Sequence, residues 1–364
     1  MKVLFAGGGT GGHINPAISV ANYIKSKEEN FEALFIGTKR GLETKLVPKA
    51  GFNIEYIDIQ GFDRRNLFKN FSVIKKLILA QKKCRKIIKE FNPDAVVLTG
   101  GYVSGPVAMA AKKMGIGALI HEQNVYPGLT VKGSQKYVDY IAVSFEETVN
   151  HISDKNKCVV TGNPVRQEII NADYNAARQE LGLSDKPFVL IFGGSLGAQK
   201  INENVVKMLP KLAKDNKIQL LFGTGERNFK EIKAQIKGMN LPDDIKVVPY
   251  IDNMHLAMAA ADVVVARSGA ITVSEIAVLK KPSILIPSPN VVRNHQEQNA
   301  REFSEHNAAA LILESELSKE VLYNKINELA FDKETLRKMG ENVSKLANPD
   351  ALEKIYKLVK KCVK

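Results

Sequence analysis

Cysteine is scarce in this chain. Its 364 residues include three, Cys84, Cys158 and Cys362, with no Cys-x-x-Cys spacing and an odd one left over. That pattern excludes a disulfide framework and a cysteine-built zinc site, and it suits a reducing compartment. Tryptophan is missing altogether, and no apolar run approaches the roughly 18 residues of a membrane-spanning helix. The opening stretch MKVLFA meets glycine before it could form the apolar core of a signal peptide. Any membrane role is therefore expected to be peripheral. There is no low-complexity tract and no internal period of about 20–50 residues, which excludes solenoid and propeller arrays.

What is present is ordinary globular material, 45% hydrophobic and 25% charged, so intrinsic disorder is excluded. A chain of this length exceeds one comfortable core, and two domains are expected. The formal net charge is +13, unevenly placed: residues 1–163 hold 23 Lys and Arg against 14 Asp and Glu, and residues 164–364 hold 29 against 25. The N-terminal half is the one expected to meet something anionic. Nucleic acid is the generic partner of a basic protein. Here the charge comes without interleaved aromatics or a DNA- or RNA-binding motif, so no nucleic-acid partner is expected.

Short apolar runs alternate with longer amphipathic segments. In the first half the runs are Lys2–Ala6, Ala33–Ile36, Ile54–Ile59, Ala95–Leu98, Ala118–Ile120 and Tyr140–Val143, with helical patterns such as Asn15–Lys27, Leu67–Phe91 and Pro106–Met114 between them. After Pro187 the same grammar restarts with Phe188–Phe192, Gln219–Phe222, Lys246–Val248, Val263–Ala266 and Ser283–Ile286. Near-continuous apolar strands separated by helices indicate a parallel sheet covered on both faces. Two such sets predict an α/β chain of two tandem Rossmann-like domains, residues 1–163 and 164–348, joined near Thr161–Arg166. The last segment, residues 349–364, reads as an exposed, Lys-rich helix with the option of packing back on the first domain.

Glycine loops follow three of the strands: Gly7-Gly8-Gly9-Thr10-Gly11-Gly12-His13, Gly100-Gly101-Tyr102-Val103-Ser104-Gly105-Pro106 and Gly193-Gly194-Ser195-Leu196-Gly197-Ala198-Gln199. Glycines let backbone N–H groups converge on an anion, and the helix N-terminus behind each loop adds its dipole. Two such loops in the first domain suit a ligand with more than one phosphate, because the crevice of a parallel sheet lies at its strand C-termini. Gly7, Gly9 and Gly12 also satisfy the dinucleotide spacing. The second strand, however, ends Gly37-Thr38-Lys39-Arg40 without the acid that would take a ribose, leaving only an NADP reading through Lys39 or Arg40. The third loop contains the Gly-x-Ser-x-Gly elbow of α/β-hydrolases, for which Asp262 with His295 or His306 would complete a triad. A hydrolase leaves the first domain's loops unexplained, and Ser195 reads better as a hydroxyl donor to phosphate.

Beyond residue 260, the run Val263–Ala266 leads through Arg267-Ser268-Gly269 into Ala270-Ile271-Thr272-Val273-Ser274-Glu275. A helix that starts in small residues suits phosphate, and the carboxylate of Glu275 can accept both hydroxyls of a ribose. Downstream, His295-Gln296-Glu297-Gln298-Asn299-Ala300 opens a helix whose side-chain amides suit sugar hydroxyls and acetamido groups.

Taken in order, GGGTGGHINP (residues 7–16), GGYVSGP (100–106), HEQN (121–124), TGNPVR (161–166), GGSLGAQ (193–199), ARSGAITVSE (266–275) and HQEQNA (295–300) closely resemble the motifs of the MurG family. These are bacterial N-acetylglucosaminyltransferases of the last cytoplasmic step in making the peptidoglycan lipid precursor. The resemblance covers nearly the whole chain. It implies the glycosyltransferase B fold with the active site in the interdomain cleft. It also implies a C-terminal domain that binds UDP-N-acetylglucosamine (UDP-GlcNAc) and an N-terminal domain that faces the acceptor and the membrane. The acceptor would be undecaprenyl-diphospho-N-acetylmuramoyl-pentapeptide, lipid I. The implied reaction is inverting transfer to its C4 hydroxyl, giving β-(1→4)-linked lipid II and UDP. By that resemblance the donor contacts are Thr10, Gly11, Gly12, Asn124, Arg166, Ser195, Ile251, Ala270, Ile271, Thr272, Val273, Ser274, Glu275 and Gln296. The acceptor diphosphate is expected at Gly8, Gly9, Gly101, Tyr102 and Ser104. Within the same fold, a lipid glycosyltransferase or a UDP-GlcNAc epimerase is the alternative.

No Asp-x-Asp triplet occurs, so neither a bound metal nor another cofactor is expected. The charge on departing UDP then falls to Arg166 and to the helix after Ser195. His13, at the end of the first glycine loop, is the expected general base, with ligand binding or capping of the helix at Asn15 as alternatives. Between Phe62 and Phe91 lie ten Lys and Arg and two acids. Leu67, Phe71, Ile74 and Ile78 form a stripe there, flanked by Lys75, Lys82, Lys83, Lys86 and Lys89. The segment is expected to lie on the anionic cytoplasmic face of the cell membrane, the alternative being a stripe packed on the sheet with solvated lysines. Other cell-wall synthesis proteins are partners that this reading admits.

Overall fold

A computed structural model describes residues 1–61, 70–194 and 197–363. The chain divides into two compact units, Met1–Val165 with Pro349–Lys364, and Arg166–Asn348.

The first unit is built on a sheet of β1 (Lys2–Gly7), β2 (Glu32–Gly37), β3 (Asn53–Tyr56), β4 (Ala95–Gly100), β5 (Gly117–Glu122), β6 (Tyr140–Val143) and β7 (Cys158–Val160), in the order β3-β2-β1-β4-β5-β6-β7. Every pairing is parallel. The central strands are apolar at successive positions because both faces are covered: Val3, Leu4, Phe5 and Ala6 are all fully buried. Alternate residues separate into two cores. Leu4, Ala6, Val96 and Leu98 pack with Cys84, Ile87 and Ile88 of the helix Asn70–Phe91 and with Val107 and Ala111 of the helix Ser104–Lys113. Val3, Phe5, Val97 and Leu119 pack on the opposite side with Ile14, Val20 and Ile24 of the helix Gly11–Lys27.

That second core is completed from the far end of the chain. The helix Ala351–Cys362 buries Leu352, Ile355, Leu358 and Val359 in it. It is fastened by Tyr23 Oη donating to Glu353 Oε2 at 2.7 Å and by Lys360 Nζ, 3.1 Å from Glu28 Oε1. The sequence reading of an exposed helix holds for its lysine face alone; the apolar positions are interior.

The second unit carries β8 (Phe188–Phe192), β9 (Gln219–Gly223), β10 (Ile245–Val248), β11 (Val263–Ala266), β12 (Ser283–Leu285) and β13 (Ala310–Leu311), ordered β10-β9-β8-β11-β12-β13 and again parallel. Its core joins Val189, Ile191, Val263 and Val265 to Ile201, Val205 and Leu209 of the helix Gln199–Asp215. In each sheet the chain winds outward in both directions from one central pair, β1/β4 in the first and β8/β11 in the second. Such switch points open a crevice at the strand C-termini, and the glycine loops and the Arg267–Gly269 turn follow those four strands.

Two differences from the sequence reading have physical causes. The edge strands β7 and β13 were not among the expected runs; they are three and two residues long and only half buried. The first helix begins at Gly11, four residues before Asn15, because it tolerates Pro16 within its early turns. Of the basic segment, Leu67 lies outside the described residues, as do the positions from Phe62 to Lys69.

Candidate functional site

At the first switch point the two glycine loops touch backbone to backbone. Gly101 has φ +76°, and a Cβ there would stand 2.3 Å from the carbonyl oxygen of Gly8. Gly100 has φ +104°, and its Cβ would stand 2.7 Å from His13 Nδ1, so the imidazole rests directly on the peptide. Side chains at either position would push the loops apart. Gly9 and Thr10 are exposed, Gly12 is exposed, and Gly11 is half-buried. The N–H groups of Gly11 and Gly12 open the helix, where a dipole and unpaired donors suit an anion.

Glu43 braces this arrangement, and sequence reasoning missed it. The side chain is fully buried. Its Oε2 accepts from the N–H of Gly9 at 3.0 Å, and its Oε1 accepts from the N–H and the hydroxyl of Thr38 at 2.9 and 2.8 Å. The carboxylate is thus spent on the loop and on the end of β2. No acid is left there for the ribose hydroxyls of an NAD-type dinucleotide.

His13 is half-buried and anchored at both ends. Thr99 Oγ1 donates to its carbonyl at 2.7 Å, and its Nδ1 lies 3.1 Å from Gln123 Oε1. Gln123 Nε2 donates to the carbonyls of Thr99 and His121 and faces His121 Nδ1, each at 3.0 Å. His121 Nε2 is 3.0 Å from the carbonyl oxygen of Gly162. Burial pushes the His121 imidazole down to about 4, with the Gly162 contact opposing. Gln123 was not expected in the site, and His121, a lesser alternative to His13 as base, stands behind it; the HEQN string signals polarity but not which atoms meet.

The other expected residues of this unit fall into place differently. Asn124 is held by Glu122, whose Oε1 accepts from its N–H at 2.9 Å and from Nδ2 at 3.2 Å while Oε2 accepts from the N–H of Gly128 at 2.8 Å. Burial raises the carboxyl of Glu122, and these bonds counter the rise. Tyr102 is 63% exposed, so its ring is open to a ligand. Ser104 is corrected: it is fully buried, its hydroxyl shared between the carbonyls of Ala6 and Gly100 at 3.0 and 2.8 Å while accepting from the N–H of Gly100 at 3.1 Å. Its work is to tie β1 to β4.

At the second switch point, Ser195 lies outside the described residues. Arg166 Nη2 approaches Glu275 Oε1 to 3.7 Å, and Nη1 is 3.7 Å from Glu168 Oε2. Burial pushes the carboxyl of Glu275 up to about 7, and Arg166 pulls against that rise. The helix Ala270–Val278 starts behind Gly269, with Ala270, Ile271, Thr272 and Ser274 half-buried at its mouth. Val273 is corrected: its side chain is fully buried and its N–H donates to Gly269 O at 3.0 Å. Ile251 closes over the end of β9, its Cδ1 2.9 Å from where a Cβ on Gly223 would be. Gln296 Oε1 accepts from the N–H of Ser288 at 2.9 Å, which leaves its NH2 as the end available to a sugar oxygen. Asp262 is occupied at the opposite end of the sheet, ahead of β11, by Arg178 at 3.0 Å, Tyr174 at 2.8 Å and the N–H of Phe188 at 2.7 Å. A triad with the loop after β8 is therefore excluded. Among the described residues, no three His, Cys, Asp or Glu side chains gather around a common point.

Comparison with known proteins covers both units. Residues 3–143 match the glycosyltransferase family 28 N-terminal domain and residues 188–355 its C-terminal domain. The chain is 46% identical over 365 residues to a protein of Ruminiclostridium cellulolyticum, covering all of both, and 45% identical to one of Acetivibrio thermocellus, covering 100% of this chain and 99% of that one. Both relatives are named UDP-N-acetylglucosamine–N-acetylmuramyl-(pentapeptide) pyrophosphoryl-undecaprenol N-acetylglucosamine transferase. Among solved structures, MurG of Acinetobacter baumannii superposes with a TM-score of 0.79 at 28% identity, covering 99% of each chain. A UDP-GlcNAc 2-epimerase of Neisseria meningitidis bound to UDP-GlcNAc superposes at 0.68 with 13% identity, covering 99% of this chain and 100% of the other, a likeness of fold.

Proposed function

The chain belongs to glycosyltransferase family 28, and we propose that it transfers N-acetylglucosamine from UDP-N-acetylglucosamine to the C4 hydroxyl of undecaprenyl-diphospho-N-acetylmuramoyl-pentapeptide, forming a β-(1→4) link and releasing UDP. The observation that carries this reading is the different chemistry at the two switch points. The second unit offers a cation, a carboxylate and an oriented amide, Arg166, Glu275 and Gln296, for a nucleotide sugar. The first offers an imidazole seated between two anion-ready glycine loops.

In the proposed reaction the acceptor oxygen bonds to the anomeric carbon from the face opposite UDP, and configuration inverts. The C1–O bond to the β-phosphate breaks with its electron pair going to UDP. The hydroxyl proton passes to His13, a contribution typically worth about 10²–10⁴ in rate. Arg166 and the N-terminus of the helix Ala270–Val278 stabilise the charge on the diphosphate. Glu275 takes the ribose hydroxyls and Gln296 the sugar. Thr10, Gly11 and Gly12 complete the donor contacts of the first unit, and Gly8 and Gly101 with Tyr102 take the acceptor's diphosphate, while the N–H of Gly9 stays with Glu43.

No helix among the described residues is long and apolar enough to cross a membrane. The helix Asn70–Phe91 turns Ala80, Cys84, Ile87 and Ile88 inward and leaves Ile78 and Leu79 52% and 54% exposed beside exposed Lys75, Lys82, Lys83 and Lys86. Apolar tips within a basic field fit the anionic cytoplasmic face of the membrane, where the polyprenyl acceptor resides.

Transfer of radiolabelled sugar to a short-chain acceptor analogue, with EDTA present, tests the reading. Robust transfer by the wild type and a loss of at least about a hundredfold in His13→Ala are expected. Donor conversion without acceptor would favour epimerase chemistry, and no transfer to any acceptor would overturn the assignment.

A further inference from the structure

The hydrogen bonds behind His13 assign its tautomer. We propose that Gln123, backed by His121, is a positioning residue that keeps the His13 proton on Nδ1 and so makes Nε2 the atom that accepts the substrate proton; what that proton is rests on the transferase reading above.

Each step follows from which groups can only accept. The Nε2 end of Gln123 faces two backbone carbonyls, Thr99 O and His121 O, both at 3.0 Å. A carbonyl cannot donate, so this end of the amide is the NH2. Turning the amide over would set its oxygen against both carbonyls inside a site where Gln123 is 3% exposed. The orientation is thus imposed by main chain rather than by another side chain. Oε1 is left facing His13 Nδ1 at 3.1 Å, and an oxygen there requires the hydrogen on the imidazole.

His121 agrees independently. Its Nε2 faces Gly162 O at 3.0 Å, so that nitrogen carries the hydrogen, and burial keeps the ring neutral. Nδ1 of His121 is then a bare acceptor, which again demands the NH2 of Gln123 at 3.0 Å. Ser144 Oγ, which donates to Glu122 O at 2.7 Å, has a lone pair directed at the same Nε2. The relay therefore runs from Gly162 O through His121 and Gln123 to His13, with the two hydrogens of the Gln123 amide shared among Thr99 O, His121 O and His121 Nδ1. His13 itself is half-buried, its ring lies on Gly100, and its Nε2 has no partner among the described residues. Burial raises the carboxyl of Glu122, and the nearby His13 is among the groups that oppose the rise. Turnover needs no change in the relay, because imidazolium keeps the Nδ1 hydrogen while Nε2 gains one.

The test begins with the wild-type chain and no substrate. Histidine labelled with ¹⁵N, assigned by difference against His13→Asn, reports which ring nitrogen bears hydrogen. The expected spectrum has neutral His13 protonated at Nδ1 and His121 at Nε2. Neutral His13 protonated at Nε2, or averaging between the two forms, would overturn the proposal without touching the assigned reaction. Gln123→Met keeps the length and removes both hydrogen-bonding ends. It should let His13 populate both tautomers and lower kcat roughly tenfold to a hundredfold, within the about 10²–10⁴ that a general base supplies. The Kd for UDP-GlcNAc should stay unchanged. A Gln123→Met chain that folds, shows mixed tautomers and keeps full kcat would also sink the positioning role. A wild type with the expected spectrum and no transfer would instead remove the functional reading and leave the tautomer assignment standing.

Discussion

Arg166 and Glu275 form an unequal ion pair: Nη2 and Oε1 are 3.7 Å apart, with one side chain 49% exposed and the other 12%. The guanidinium keeps its water while the carboxylate has lost most of its own, which is why burial outweighs attraction and raises the carboxyl to about 7. Only the ionised form accepts two ribose hydroxyls. Affinity for UDP-GlcNAc should therefore drop as pH falls through 7 and level off above it, in calorimetric titrations between about pH 6 and 8. Glu275→Gln should bind about tenfold more weakly and lose the pH dependence. Arg166→Gln should move the transition upward. A flat wild-type profile would count against the ribose assignment. In stability the sign is reversed: the folded chain holds this proton more tightly than the unfolded one. The contribution is full below 4.5 and lost as pH rises through about 7.

Glu43 holds three donors that have no other acceptor at hand, the N–H of Gly9 and the N–H and hydroxyl of Thr38. Glu43→Ala should cost at least about 2 kcal/mol in chemical denaturation, since hydrogen bonds to charged groups contribute about 1.5–3 kcal/mol each. Glu43→Gln keeps an acceptor and should lose less. Both should lower kcat by loosening the loop that ends in His13. An Ala variant of wild-type stability would show that the loop holds itself.

Lys281 is 7% exposed, its ammonium 4.6 Å from the centre of the Tyr174 ring. Burial pushes the amine down to about 8, with Asp262 pulling the other way. Its folded pKa lies below the unfolded 10.5, so its contribution to stability is present above 10.5 and lost as pH falls through about 8. At neutral pH, Lys281→Met should raise the stability of the second unit by about 1–3 kcal/mol. Thermal or denaturant unfolding decides it, and a destabilised variant would mean that the cation–aromatic contact outweighs desolvation.

Ile78→Asp with Leu79→Asp should reduce binding to vesicles containing anionic lipid without changing transfer to a soluble acceptor analogue. Replacing Lys82, Lys83 and Lys86 by Gln should weaken binding by about a hundredfold at low salt, at roughly 1 kcal/mol per basic residue. Added salt should erase the second effect and spare the first. Unaltered vesicle binding in both variants would move the membrane contact elsewhere.

The strands that carry the two switch points were legible because burial on both faces leaves an unbroken apolar run, as in β1 and β8. β7 and β13 lack that signature, since an edge strand of two or three residues has little surface to hide. The glycine loops were legible for a similar reason: close backbone approach excludes side chains, and that exclusion is written directly as glycine. Glu43 was not legible, because its partner Gly9 is 34 positions away and offers only an N–H that every residue has. Ser104 misled in the opposite sense. A hydroxyl after a glycine loop suggests a ligand, yet at the ends of β1 and β4 it satisfies strand carbonyls. Val273 could have been sorted by helix period, being the position that turns toward the core.

The helix Ala351–Cys362 sets an order of events during synthesis. The second unit is continuous from Arg166 to Asn348, whereas the first is interrupted and needs residues beyond Pro349 to finish. On the ribosome the first unit emerges with one face of its sheet still lacking Leu352, Ile355, Leu358 and Val359. The later-made unit can therefore close while the earlier one waits, reversing the usual N-terminus-first sequence of domain folding. The unit that is begun first is thus finished only after the residues from Pro349 onward have been made.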